Sequence, residues 1–482
     1  MDVPRSAQCW LFAVLVVAGT LFGCAPHQDA EPRATQSAPP DSAAEDAPSE
    51  GGAPDGTESD RSAETGALTV YSETFSGQAL QELPSAELII PEPEPSGAEP
   101  EMAAAPEAES VPVPELAAPS RMSSPPAFAP LPAPSLPPRS DGAAPPRTSA
   151  VKDKGFTRET VYFATDRARN SRATSAKEMF SSRRGDLEFG VCEVSVPDTH
   201  VDGELEGKKW YQWREDPRKH ILILDPLKIL GRNEFVREVK GRVARGKGRE
   251  VLIFVHGYNV SFESALQRTA QLAHDLEFPG VAICYSWPSG NSGNYATDWT
   301  NAEWTTPHCV EFLELVATQL GAAQVDLIAH SMGSRVLTNS LKETSARWGS
   351  LSDRPLFHQV VLAAPDIDAE IFRTQIAPAI RRSGQRLTVY TSTRDRALQL
   401  SESVNGYARL GSGGKCMTHL KELPWLECVD ATALLDDSWL GLRHSYYGDS
   451  PQLIQDLQQV LRGTRAPDRG LAHAPDGSYV VR

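Results

Sequence analysis

The run Asp326-Leu-Ile-Ala-His-Ser-Met-Gly-Ser-Arg335 sets a serine where an apolar stretch stops and a helical one starts. A hydroxyl in that place could attack an acyl carbonyl, provided the backbone turns sharply enough to present its Oγ. Such a turn pinches a strand against a helix. It therefore needs small residues two before and two after the nucleophile. Ala329 and Gly333 hold those places around Ser331.

A serine is a weak nucleophile until a base takes its proton, and the base must be oriented by an acid. On a parallel sheet with this turn the order along the chain is Ser, acid, His. The histidines after Ser331 are His358, His419, His444 and His473. His358 begins an apolar strand, and His473 lies in a polar tail. His444, in Gly441-Leu-Arg-His-Ser-Tyr-Tyr-Gly448 just before the last helical run, is the expected base, with His419 as the alternative. The acid is expected after the strand Leu387–Thr391, at Asp395. Asp366 and Asp368, in Ala364-Pro-Asp-Ile-Asp368, end the preceding strand and stand in reserve. Asp326 is on the nucleophile's own strand and is excluded by position. An oxyanion hole needs two backbone N–H groups aimed at the developing charge. Met332, at a helix N-terminus, is one. Tyr258, in Val255-His-Gly-Tyr-Asn259, is the other. His256 is read as shaping that loop. His330 is not the base, because adjacent side chains diverge at the turn.

These residues need a scaffold, and the chain supplies a regular one. Thr160–Thr165, Leu187–Val196 and His220–Leu224 read as strands of an antiparallel edge region. Glu250–Val255, Gly280–Ser286 and Gln324–Ala329 are short continuous apolar runs, as for strands buried on both faces. His358–Ala364 and Arg386–Thr391 continue the series. Helical periodicity covers Ser261–Leu276, Val310–Leu320 and Pro451–Leu461. This alternation predicts an α/β fold with a mostly parallel sheet and helices on both faces. A polar, aromatic loop over Ser289–Thr306, carrying Tyr295, Trp299 and Trp304, is expected to overhang the site.

The chain has 482 residues and a net charge of −16, distributed unevenly. Residues 1–150 carry 6 Lys and Arg against 22 Asp and Glu, so the remainder is neutral. That remainder has no electrostatic footprint for nucleic acid. The first 150 residues also hold 25 of the 38 prolines. Residues 24–150 read as a disordered, acidic tether rich in Pro, Ala and Glu. Only Leu68–Ile90 is mildly apolar within it. Residues 1–23 read as a signal peptide: Arg5, an apolar run from Trp10 to Phe22, then Leu21-Phe22-Gly23-Cys24. A small residue directly before Cys24 resembles a bacterial lipobox, which makes Cys24 the lipidated N-terminus. The expected location is the bacterial cell envelope, lipid-anchored, on the periplasmic side of the outer membrane. The hydrolytic domain is expected over 155–465, with a flexible tail over 466–482.

Val255-His-Gly-Tyr-Asn259, Trp287-Pro-Ser289, Ala329-His-Ser-Met-Gly-Ser-Arg335, Ala364-Pro-Asp-Ile-Asp368 and His444-Ser-Tyr-Tyr447 together resemble a bacterial family of α/β-hydrolases. It is a former domain of unknown function, described as esterase/lipase superfamily enzymes. The resemblance runs over about residues 157–462 and implies the α/β-hydrolase fold with a Ser-His-Asp triad. The expected activity is hydrolysis of carboxylic esters or thioesters through an acyl-enzyme. The alternatives are an amidase or peptidase on the same fold, or a non-catalytic, envelope-anchored binding lipoprotein. The expected partners are an acyl ester substrate and, through Cys24, a membrane. No Cys or His spacing reads as a zinc site, and no metal or organic cofactor is expected. Among the cysteines, Cys416 and Cys428 close a short loop and are the best candidates for a disulfide.

Overall fold

The computed structural model describes residues 147–481, except 208–213, 291–292, 349–354, 382, 415–419, 421–422, 424 and 436–443. The signal peptide, Cys24, Leu68–Ile90, Cys416 and His419 lie outside the described residues.

Among the described residues, twelve strands form one sheet. Antiparallel β1 (Ala150–Asp153), β2 (Phe156–Arg169), β3 (Phe180–Pro197) and β4 (Leu222–Leu230) make one side of it. From β2 inward the sheet is parallel: β6 (Val281–Ser286), β5 (Glu250–Val255), β7 (Gln324–His330), β8 (Phe357–Ala363), β9 (Gly384–Thr391) and β10 (Leu426–Asp430). Two short strands, β11 (Ala472–His473) and β12 (Tyr479–Val480), close the far edge.

Every residue of β5 and β6 is buried, because helices cover both faces. Side chains alternate across a strand. Val251, Ile253 and Val255 of β5 thus join one core, and Leu252 and Phe254 join the other. The first core is covered by α1 (Arg232–Arg245), α4 (Thr306–Gln319) and α5 (Met332–Trp348), through residues such as Val239, Phe312 and Val336. The second is covered by α2 (Phe262–Asp275) and α7 (Pro451–Leu461), through Leu272 and Leu457. Helix α2 follows β5 on one face, and α5 follows β7, the next strand in the sheet, on the other. Neighbouring strands whose helices leave on opposite faces open a crevice at their carboxyl ends, where ligands of open α/β sheets bind.

Three expectations change. The stretch 289–306 contains a helix, α3 (Tyr295–Trp304), started by Asn294, whose side chain accepts from the N–H groups of Ala296 and Thr297. The domain starts before residue 155. Arg147 pairs with Glu159 at 2.6 Å, Thr148 Oγ1 donates to Pro279 O at 3.0 Å, and Ser149 Oγ donates to Gly280 O at 2.7 Å. The tail 466–482, expected to be flexible, instead adds β11 and β12. Its Arg469 side chain is fully buried, 3.0 Å from Asp456 and 3.1 Å from Glu427. Polar composition hid this, because a buried ion pair between segments far apart in sequence has no local periodicity.

Candidate active site

Ser331 lies between the last residue of β7 and the first of α5, with φ of 53°. That left-handed backbone is uncommon for a residue with a Cβ and costs about 1–2 kcal/mol. The surrounding backbone holds it. Ser331 N–H donates to Ala363 O at 3.0 Å, and Ser331 O accepts from Ser334 N and Asp366 N. The close packing explains two glycines. A Cβ on Gly333 would sit 2.2 Å from His256 O, and one on Gly257 would sit 2.9 Å from Ser331 Cβ. The turn after β5 is therefore pressed directly against the serine.

Asp395 follows β9 and caps α6 (Arg396–Asn405), where one carboxylate oxygen accepts from Leu398 N at 3.1 Å. Its other oxygen is 2.7 Å from His444 Nδ1. Both residues are buried. A carboxylate can only accept, so Nδ1 carries a proton, and in the neutral ring Nε2 keeps its lone pair. Burial pushes the His444 imidazolium down. The Asp395 carboxylate, by charge and by hydrogen bond, and Asp366, by charge, outweigh it, so the net shift is upward from 6.5.

Asp366 is also buried here, but it is held by other groups. Tyr295 OH donates to it at 2.8 Å and Ser401 Oγ at 2.6 Å. The reserve acid is thus tied to α3 and α6, whereas Asp395 holds the histidine. His358, set aside above, pairs with Asp326 at 2.8 Å.

His330 has a role that sequence reasoning missed. Its Nε2–H donates to His444 O at 3.1 Å, and its ring stacks on Tyr447 at 4.3 Å. It ties the backbone of the His444 segment to the serine turn. Burial first, then the nearby His444, hold it well below 6.5, so it stays neutral.

The turn His256–Val260 follows β5. His256 is buried, stacked on Trp287 at 5.3 Å, and receives Arg167 Nη2 at 3.3 Å. Burial and the Arg167 charge lower it to about 3. A neutral imidazole with Nδ1–H donating to Gly257 O at 2.9 Å and Nε2 accepting from Arg167 fits these contacts. This is the loop-shaping part expected for it. Met332 is the first residue of α5, where backbone N–H groups have no carbonyl a turn earlier to bond.

Among the described residues, one cluster has metal-ligating types: His200, Asp202 and Asp275. Both His200 nitrogens face carboxylates, Nδ1 to Glu206 at 2.8 Å and Nε2 to Asp275 at 2.7 Å. Burial lowers the His200 pKa, but its two carboxylate hydrogen bonds bring it to about 9. It is a structural imidazolium that pins the 200–206 loop to α2.

Residues 232–465 match the family described as "Alpha/beta hydrolase of unknown function (DUF900)". Curated proteins hold no match to the chain. Solved structures similar to it include a predicted CIB-like hydrolase from Thermoplasma acidophilum, at 12% identity and a TM-score of 0.27, covering 49% of this chain and 91% of that one. An esterase from Pyrococcus furiosus is 12% identical with a TM-score of 0.28, covering 47% and 85%. A lipase-esterase related protein from Clostridium acetobutylicum is 11% identical with a TM-score of 0.27, covering 46% and 96%. At these values nothing about activity passes from them to this chain. The strand order and the family match agree on the α/β-hydrolase fold.

Proposed function

We propose that this protein is a serine hydrolase of carboxylic esters or thioesters, with Ser331 as nucleophile, His444 as base and Asp395 as the orienting acid. The observation that carries the reading is the 2.7 Å contact between His444 Nδ1 and Asp395, which leaves Nε2 as the proton acceptor. Ser331 Oγ attacks the acyl carbon as His444 Nε2 takes its proton. The tetrahedral oxyanion is held by the N–H groups of Met332 and Tyr258. The bond to the leaving group then breaks as His444 protonates it, giving an acyl-enzyme. A water, deprotonated by the same nitrogen, attacks the acyl carbon and releases the acid. The groups required are all side chains and backbone of this chain.

A fluorophosphonate probe tests the reading, because it esterifies an activated serine. The protein should be labelled at Ser331 and should release p-nitrophenol from acyl esters with a burst. Failure to label, with no turnover across short to long acyl chains, sinks it in favour of a binding protein. Turnover of amides in preference to esters would move it to the amidase class.

The pH profile follows from the histidine. Only neutral His444 can accept the proton, so kcat/KM should rise with pH through its pKa. Because that pKa is raised, the acid limb should have its midpoint above the ordinary 6.5. A midpoint at or below that value would show that another group titrates.

We further propose that Cys24 is lipidated and holds the protein in the cell envelope. No helix among the described residues is long and apolar enough to cross a membrane. Cys24→Ala should block lipoprotein processing and abolish labelling with radioactive palmitate in cells. Unchanged palmitate incorporation would overturn the anchor.

A further inference from the structure

Asp298, on α3, is buried, and its carboxylate binds two loops at once. Oδ2 accepts from Asn259 N at 3.0 Å and from Ser289 Oγ at 2.6 Å, and Oδ1 accepts from Gly290 N at 2.6 Å. Ser289 Oγ in turn accepts from Val260 N at 3.2 Å. Arg167, on β2 and fully buried, grips the same two loops by their carbonyls. Nη2 donates to Val260 O at 2.7 Å and Nη1 to Ser289 O at 3.0 Å. Its Nε donates to Ser286 Oγ at 2.9 Å. The acid thus takes N–H groups and the base takes carbonyls, on both the turn after β5 and the turn after β6.

The first of these turns carries Tyr258 and Asn259, and the φ of Asn259 is 54°. A left-handed residue needs neighbours that over-determine it. Burial raises the Asp298 pKa, yet both of its oxygens accept from donors, the pattern of a carboxylate, and charge-assisted hydrogen bonds such as the one from Asn259 N–H are about twice as strong as neutral ones. Burying a carboxylate and a guanidinium is costly, and neutral side chains could bridge two loops with less desolvation. A rigid donor array that does not reorganise during reaction is what such an arrangement can supply.

We propose that Asp298, with Arg167, is a positioning residue that holds the turn bearing the Tyr258 N–H in the shape required to stabilise the oxyanion. The inference rests on the serine-hydrolase reading above. It assigns the 289–306 segment a part in catalysis through its carboxylate, beyond a part in shaping the substrate pocket.

The test compares Asp298→Asn with a control from the same helix. Asn301 Nδ2 donates to Pro288 O at 2.6 Å, so Asn301→Ala loosens the loop after β6 without touching the turn after β5. Both variants and the parent are measured for kcat and KM on a p-nitrophenyl ester, Ki of an alkyl boronic acid, fluorophosphonate labelling and Tm. Asp298→Asn is isosteric, but its NH2 faces an N–H donor. It should lower kcat about 100-fold, the scale of a lost oxyanion donor. KM should stay within about threefold, and boronate binding should weaken in proportion to kcat. Asn301→Ala should keep kcat and boronate affinity near the parent's, even at an equal loss of Tm. The proposal falls if Asp298→Asn retains kcat and boronate affinity, or if the two variants lose activity in step with Tm. If the parent itself is neither labelled nor active, the serine-hydrolase reading fails first and this inference with it. A labelled, active parent with an indifferent Asp298→Asn variant isolates the failure to this inference.

Discussion

Ser331→Ala should lose at least about 10⁴-fold in kcat on any ester the parent hydrolyses, while keeping its fold. The loss is large because the base and acid have nothing to activate once the hydroxyl is gone. What remains is binding and whatever the oxyanion donors contribute. The fold should survive because the bonds that define the turn are made by the Ser331 backbone, to Ala363, Ser334 and Asp366. Alanine and serine meet the left-handed φ at similar cost, so the strain is the same in both. Tm and the far-ultraviolet circular dichroism should match the parent, and the fluorophosphonate should no longer label. Parent-like turnover by highly purified Ser331→Ala would remove Ser331 from the nucleophile's place.

Asp395→Asn should cost about 10⁴-fold in kcat, because an amide can donate to Nδ1 and so favours the tautomer whose Nε2 carries the proton. A base in that tautomer cannot receive the serine's proton. The acid limb of the residual activity should also move to lower pH, since the charge that raises His444 is lost. Asp366→Asn should stay within roughly tenfold of the parent. Its carboxylate faces Tyr295 and Ser401 and reaches His444 only through its field. If Asp366→Asn is the more damaging of the two, the orienting acid sits at the end of β8. Stability should be measured alongside, because Asp395 also caps α6.

Local pattern made much of this legible. The small residues around Ser331 announce a tight turn, and the continuous apolar runs announce strands covered on both faces. Counting strands onward from Ser331 led to Asp395, and the structure sets that residue against His444. What stayed hidden is made by contacts between distant segments. Arg167 lies on β2, far ahead of every motif, and nothing in its neighbourhood announces a side chain that reaches Val260 and Ser289. Helix α3 does not announce itself because two of its three buried residues, Asp298 and Asn301, are polar, and its start depends on the Asn294 cap. Strand β10 is five residues long and includes Glu427, which Arg469 and the Ala466 N–H engage from the tail. His330 looked idle because sequence adjacency shows where its Cα lies and says nothing of a carbonyl 114 positions away.

The first described residues are fastened at the end of the sheet opposite the candidate site. Thr148 and Ser149 are fastened to Pro279 and Gly280, at the amino end of β6. Ser331 and the turn after β5 lie at the carboxyl ends of the parallel strands. Six residues of β6 span about 20 Å between those two ends. A force applied at Thr148 and Ser149 would therefore load the amino ends of the strands, about one strand length away from Ser331 and the turns packed around it.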